Sequence, residues 1–333
     1  MYMICELEDK IFNVQKHGFE QVALELFKLQ STENILYRSF IEAINIDPGN
    51  VNNVASIPFL PVGFFKNHDV VTGTFEPDVI FESSGTTQTG NSRHIVKSAN
   101  LYRRSFTDAF QLFYGSPGIW CIAGLLPAYL ERKNSSLVMM VNDLIGLSRH
   151  TSSGFYLYEH EKLAELIMFN EAASQKTLLI GVAFALLDLA EHFRFPLKHT
   201  TVMETGGMKG RRKEITRTEM HETLCEAWKL DFIHSEYGMT ELLSQAYSSG
   251  NGLFRCPPWM KIILRDEDDP LTIKPLSAAT QSGLINVIDL ANIYSCSFIA
   301  TDDIGKLYPD GSFEVIGRMD SSDVRGCSLM YAV

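Results

Sequence analysis

A chain of 333 residues with 45% apolar content can fill one large or two medium cores. Its formal charge of −11 and pI near 5.3, with no basic run longer than 209–213, argue against a nucleic-acid partner, because phosphate binding needs a basic face. The acidic N-terminus is no signal peptide and no stretch reaches the roughly 18 apolar residues of a membrane span. The six cysteines (Cys5, Cys121, Cys225, Cys256, Cys296, Cys327) form no Cys-x-x-Cys pair, so a soluble, reduced, cytoplasmic protein is expected.

Phe19, Val22, Leu26 and Leu29 stand at helical spacing and predict an amphipathic helix over 18–30. Asp47-Pro-Gly-Asn50 reads as a turn, and the prolines and phenylalanines of Ile57 to Lys66 read as a stiff, buried connector. A short apolar run, Val79 to Phe81, then opens into Ser83-Ser84-Gly85-Thr86-Thr87-Gln88-Thr89-Gly90, a loop of small hydroxyl residues and glycines. Such a loop can wrap its N–H groups and hydroxyls around an anion; the plainer reading is a flexible Ser/Gly linker. It lacks the Gly-Lys-Ser/Thr of a P-loop.

Ser98 is placed to cap a helix running through Phe113, with Gly115 closing it, before a strand at 120–126. The alternation continues as strand 177–182, helix 183–195, strand 199–204, helix 214–229 and strand 231–235. Short apolar strands separated by helices predict βαβ units, a largely parallel sheet and ligand loops at its carboxyl edge. The hydroxyl loop, Glu204-Thr-Gly206-Gly207 and Ser235-Glu-Tyr237-Gly238-Met-Thr240-Glu241 each follow a predicted strand and are expected on that edge. In the last of these, the Tyr237 ring can stack on a base, the Thr240 hydroxyl can bond a phosphate and the Glu241 carboxylate can hold Mg²⁺, a hard cation usually shared with substrate phosphates. A strand end and helix start capped by Thr240 is the plainer alternative. After residue 250, strands at 260–265, 284–289, 297–301 and 313–316 predict a β-rich subdomain. The expected division is an α/β core over 1–250 and a β-rich part over 251–333.

The hydroxyl loop, the Gly-Gly turn, Tyr-Gly-Met-Thr-Glu, Thr301-Asp-Asp-Ile-Gly305 and Gly317-Arg-Met-Asp320 together resemble, in order and rough spacing, the adenylate-forming enzymes. Ile57 to Lys66, Leu125 to Arg132, Met203 to Arg212, His234 to Ser244 and Ile316 to Cys327 are similar to one group among them, the acyl-protein synthetases of the bacterial bioluminescence fatty-acid reductase (LuxE type), related to phenylacetate-CoA ligases. The resemblance implies an α/β fold with a large N-terminal domain of parallel sheets flanked by helices, plus the β-rich subdomain. With thirteen residues after Asp320, none a lysine, the expectation is that the C-terminal lid domain of CoA ligases is absent.

By the same resemblance Ser83, Ser84, Gly85, Thr86 and Thr87 would embrace the ATP phosphates, and Gly206 and Gly207 would line the adenine on which Tyr237, followed by Gly238, stacks. Thr240 would contact phosphate and Glu241 Mg²⁺, Asp303 would hold the ribose with help from Arg318, and Asp320 would be the hinge. Cys327 would take the acyl group as a thioester, with Arg325 lowering its pKa and Cys296 as the second candidate. The implied activity is ATP-dependent activation of a long-chain fatty acid as acyl-AMP, then transfer to the cysteine and on to an acyl-protein reductase partner. A CoA ligase and a non-catalytic nucleotide-binding module are the competing readings. One departure is that Gln88 and Arg93 stand where relatives have Gly and Pro-Lys, so neutralisation of pyrophosphate is not carried over.

Overall fold

The computed structural model describes residues 2–83, 91–126, 134–206, 216–275 and 277–319. The chain divides into two compact units, residues 1–75 with 258–333, and residues 76–257.

The first unit opens with helices α1 (Tyr2–Phe12), α2 (Val14–His17), α3 (Phe19–Glu33) and α4 (Ile35–Ala43), then the two-residue strand β1 (Leu60–Pro61) and a single turn of helix, α5 (Phe64–Asn67). Of the stripe expected on α3, Val22 and Leu26 are fully covered while Phe19 and Leu29 are half-buried, and Phe27 and Gln30 complete the buried face. The prolines of the connector hold an extended path: β1 pairs parallel with a strand more than 230 residues later, Leu60 opposite Ile299.

The second unit begins with the hairpin β2 (Val79–Glu82) and β3 (Arg93–Val96), followed by α6 (Ala99–Tyr114), β4 (Cys121–Leu125), α7 (Ser136–Ser148), β5 (Gly154–Phe155), α8 (His160–Ala172), β6 (Thr177–Val182), α9 (Ala183–His192), β7 (Thr200–Thr205), α10 (Arg217–Trp228), β8 (His234–Tyr237), β9 (Ala246–Ser248) and β10 (Phe254–Arg255). Its sheet runs in the order β5-β4-β6-β7-β8-β9-β10, parallel from β5 through β8 and antiparallel after. Every residue of β4 and β6 is buried, as continuous apolar runs covered on both faces require. Ser98 caps α6, its hydroxyl accepting from the Leu101 N–H, while Leu101, Tyr102, Phe106, Ala109 and Phe110 are buried and Gly115 at φ 76° ends the helix. A capping box of Thr216 and Glu219 starts α10.

The chain then returns to the first unit as the antiparallel strands β11 (Met260–Arg265), β12 (Gln281–Asp289), β13 (Phe298–Leu307) and β14 (Phe313–Arg318), the β-rich part expected. One feature differs from the expected division at residue 250: residues 1–75 fold with this β-rich part. Long-range polar pairing explains it. The buried Gln30 amide donates to the carbonyls of Asn292 and Ile293 and accepts from the Ser297 N–H, and Asn34 donates to the Ser295 carbonyl. A buried amide stripped of such partners would cost about 1–3 kcal/mol, which holds α3 and α4 to this sheet.

Candidate active site

The loops expected to meet the nucleotide are best taken unit by unit. In the second unit, β7 and β8 are parallel neighbours in the register Glu204 opposite Ser235 and Thr205 opposite Glu236, so Gly206 and the 237–241 segment leave the same carboxyl edge of the sheet. Gly206 adopts φ 66°, a left-handed turn that any side chain would strain. Gly207 lies outside the described residues.

The hydroxyl loop stands elsewhere. It does not connect a sheet strand to a helix but the two strands of the separate β2–β3 hairpin, because Arg93 to Val96 turn back along Val79 to Glu82. Ser83 and Ser92 clamp its base: the Ser83 N–H donates to the Ser92 carbonyl at 3.0 Å, and the Ser92 N–H donates to the Ser83 hydroxyl at 2.9 Å. Ser84, Gly85, Thr86 and Thr87 lie outside the described residues. The hairpin is nevertheless joined to the Tyr-Gly-Met-Thr-Glu turn. His94 on β3 is 1% exposed, and its Nδ1 lies 2.8 Å from the carbonyl oxygen of Thr240. A carbonyl only accepts, so Nδ1 carries the hydrogen. Burial pushes the ring's pKa down to about 4, the bond to Thr240 opposing, so His94 is neutral near pH 7. Separately, the buried Ser105 hydroxyl of α6 lies 3.1 Å from that of Ser244.

Within the turn, Tyr237 is 9% exposed and meets the Phe254 ring edge-on at 5.9 Å, so one side of it is already packed. Thr240 is half-buried, and Glu241 is buried at 5% exposure. Among the described residues no group of three or more His, Cys, Asp or Glu side chains is arranged to hold a metal. A single carboxylate completed by substrate phosphates is the sparse protein ligation that Mg²⁺ accepts, and the Glu241 carboxylate fits that part.

The sequence reading passed over a group of polar side chains around β8. Glu236, one residue before Tyr237, accepts a hydrogen bond from the Thr205 hydroxyl. Burial raises its pKa to about 7, against the Thr205 hydrogen bond and with the help of the Glu204 charge. Glu204 itself is paired with Arg217, Oε1 to Nε 2.9 Å. Beside Glu236, Tyr114 from α6 is 3.1 Å from His234 Nδ1, and Tyr247, opposite Glu236 on β9, is fully buried. A Cβ added at Gly238 would stand 2.5 Å from Glu236 Oε1, so this glycine leaves room for the Glu236 carboxyl.

In the first unit, Asp303 and Arg318 are register partners across β13 and β14. The Arg318 guanidinium is 3.7 Å from Asp302. Beneath them the buried Arg265 donates to the Thr301 carbonyl at 2.6 Å and to Asn286 Oδ1 at 2.7 Å, fixing the start of the Thr-Asp-Asp segment. Gly305 is dictated by space, since a Cβ there would be 2.6 Å from the Glu314 carbonyl oxygen. Cys327, Arg325 and Asp320 lie outside the described residues. Cys296 is unsuited to carry an acyl group: it is fully buried, its thiol is pushed up to about 12 by burial, and it donates to the Phe298 carbonyl.

Compared with known proteins, the chain matches no protein-family model. It is 25% identical over 358 aligned positions to the long-chain-fatty-acid–luciferin-component ligase of Vibrio harveyi, covering 97% of this chain and 92% of that protein. Among solved structures, 2-hydroxyisobutyryl-CoA ligase in complex with its acyl-AMP superposes with a TM-score of 0.59 at 11% identity, covering 90% of this chain and 68% of that one. ATP-bound MatB from Rhodopseudomonas palustris superposes with a TM-score of 0.52 at 17% identity over 74% of this chain. The chain spans about half, 49%, of the length of that protein. The chain therefore has the mixed α/β fold of adenylate-forming ligases and resembles, along nearly its whole length, a bacterial long-chain-fatty-acid ligase.

Proposed function

We propose that the protein is an ATP-dependent acid ligase that activates a long-chain fatty acid as acyl-AMP and passes the acyl group to the Cys327 thiol for delivery to an acyl-protein reductase. The observation that carries this reading is the junction of the hydroxyl-rich hairpin with the Thr240–Glu241 turn in one unit, His94 Nδ1 to Thr240 O at 2.8 Å. It ties the strand that follows the hydroxyl-rich loop to the turn carrying the Thr240 hydroxyl and the buried Glu241 carboxylate. The likeness to a fatty-acid ligase over nearly the full chain supports the choice of acid.

In the first step a carboxylate oxygen of the acid attacks the α-phosphorus of ATP and the bond to pyrophosphate breaks. Two anions must be held in line, so the protein's contribution is position and charge compensation. Bound Mg²⁺ would supply charge neutralisation at the phosphates, with Glu241 as its protein ligand. The loop N–H groups and the hydroxyls of Ser83, Ser84, Thr86, Thr87 and Thr240 would orient the phosphate oxygens, and Tyr237 would offer its remaining face to the base. The roles of Asp303 and Arg318 toward the ribose rest on the resemblance alone. In the second step the Cys327 thiolate attacks the acyl carbon and AMP leaves with the electrons of the C–O bond.

The test is an acyl-enzyme assay with radiolabelled myristate and MgATP. A hydroxylamine-sensitive adduct on the wild type and on Cys296→Ser, lost in Cys327→Ser, is expected. CoA-dependent AMP formation that survives Cys327→Ser would replace the reading with a CoA ligase.

A further inference from the structure

The β2–β3 hairpin has no strand in common with the sheet that carries the Tyr-Gly-Met-Thr-Glu turn. Two loops that must grip one polyphosphate therefore need a separate device to hold them in register. On the hairpin side the loop base is fixed by the reciprocal Ser83 and Ser92 bonds, and His94 follows two residues later. On the other side the turn is internally braced by the Leu242 N–H to the Met239 carbonyl at 3.0 Å. Between them lies the bond from His94 Nδ1–H to the Thr240 carbonyl.

We propose that His94 is the positioning residue of this site: its Nδ1–H anchors the Thr240 carbonyl and so holds the Thr240–Glu241 turn against the β2–β3 hairpin, two residues beyond its Ser83–Ser92 clamp. This deepens the ligase reading and rests on it. The residue does not touch the substrate. Its geometry asks for a planar donor one bond beyond Cγ, which asparagine reproduces and glutamine, whose amide sits one carbon further out, does not.

The experiment compares wild type with His94→Ala, His94→Asn and His94→Gln. Three quantities are measured: thermal midpoint, calorimetric affinity for Mg·ATP, and kcat and KM for pyrophosphate release with myristate. For Ala and Gln, kcat falls roughly 30- to 100-fold, as expected from displacing a reacting group by about 1 Å. Their Mg·ATP affinity falls roughly 10-fold, as for lost partners of a metal ligand. KM for the acid stays within about twofold, because the acid does not meet this bond, and Asn recovers both losses to within about threefold of wild type. Equal losses in Ala, Asn and Gln, or a lowered thermal midpoint with unchanged kcat and Mg·ATP affinity, would overturn the proposal. A wild type that binds Mg·ATP but releases no pyrophosphate would defeat the ligase reading instead, and the order of Mg·ATP affinities among the variants would then decide the role of His94.

Discussion

Glu236→Gln should stabilise the protein strongly at pH 8 and only slightly at pH 5. In the folded chain the Glu236 carboxyl is raised from its ordinary 4.5 to about 7, chiefly by burial. Between those values the native state holds a proton that the unfolded chain has lost, so this group lowers stability progressively as pH rises through the interval, and the loss is complete above about pH 7. At about 1.4 kcal/mol for each tenfold change in proton affinity, the total comes to about 3 kcal/mol as a ceiling. Glutamine keeps the shape and can still accept from the Thr205 hydroxyl, but it does not ionise. Urea titrations followed by the fluorescence of the three tryptophans, at pH 5, 6, 7 and 8, give the difference between variant and wild type. Taking the difference removes the contribution of every other titrating group. It should grow from just under about 1 kcal/mol at pH 5 to at most about 3 kcal/mol at pH 8 in favour of the variant. A difference that stays constant over this range would refute the placement of a dehydrated carboxyl at the end of β8.

Other consequences can be checked in the same way. Gly305→Ala forces a Cβ against the Glu314 carbonyl and the Ile285 side chain, which should cost about 1–3 kcal/mol in urea unfolding. Ser98→Ala removes the hydroxyl that accepts from Leu101 N–H and should cost about 1 kcal/mol, whereas Ser98→Asp should restore it. Gly238→Ala displaces the Glu236 carboxyl from its position 2.5 Å from the new Cβ, and pyrophosphate release should fall roughly 10-fold or more while the far-ultraviolet spectrum is unchanged. Cys296→Ser should leave the acyl-enzyme yield unchanged, because the native thiol is buried and held protonated.

The legible part of the fold was the part written in local periodicity. Strands 177–182 and 260–265 and the capped helix after Ser98 are found where alternation, capping and glycine place them. What was not legible depended on partners far along the chain. The attachment of residues 1–75 to the β-rich part is made by Gln30 and Asn34 to carbonyls about 260 residues away, and nothing in the local pattern marks those amides. The reading placed no element over 133–176, where α7, β5 and α8 lie; α7 is apolar almost throughout and α8 mixes charge and apolar side chains on its faces, so neither shows a clean stripe. The return strand β3 was hidden because Arg-His-Ile-Val follows a Ser/Gly loop and adjoins the helix cap, and the helix signal dominated. His94 was lost with it. Glu236 is overshadowed in the sequence by the ring, hydroxyl and carboxylate that follow it; its signal is a carboxylate inside a strand flanked by buried Ser235 and Tyr237. Two of the three expected loops do leave one sheet edge, and the hairpin that carries the third is tied to one of them, the Tyr-Gly-Met-Thr-Glu turn, through His94.

The central claim is adenylation of a fatty acid, and pyrophosphate release from MgATP without CoA tests it most directly. Wild type and Glu241→Ala would be presented with acids from acetate to palmitate and with phenylacetate. The account predicts release with a long-chain acid by the wild type and its loss in Glu241→Ala, and no release with any acid by a wild type that still binds ATP would contradict it.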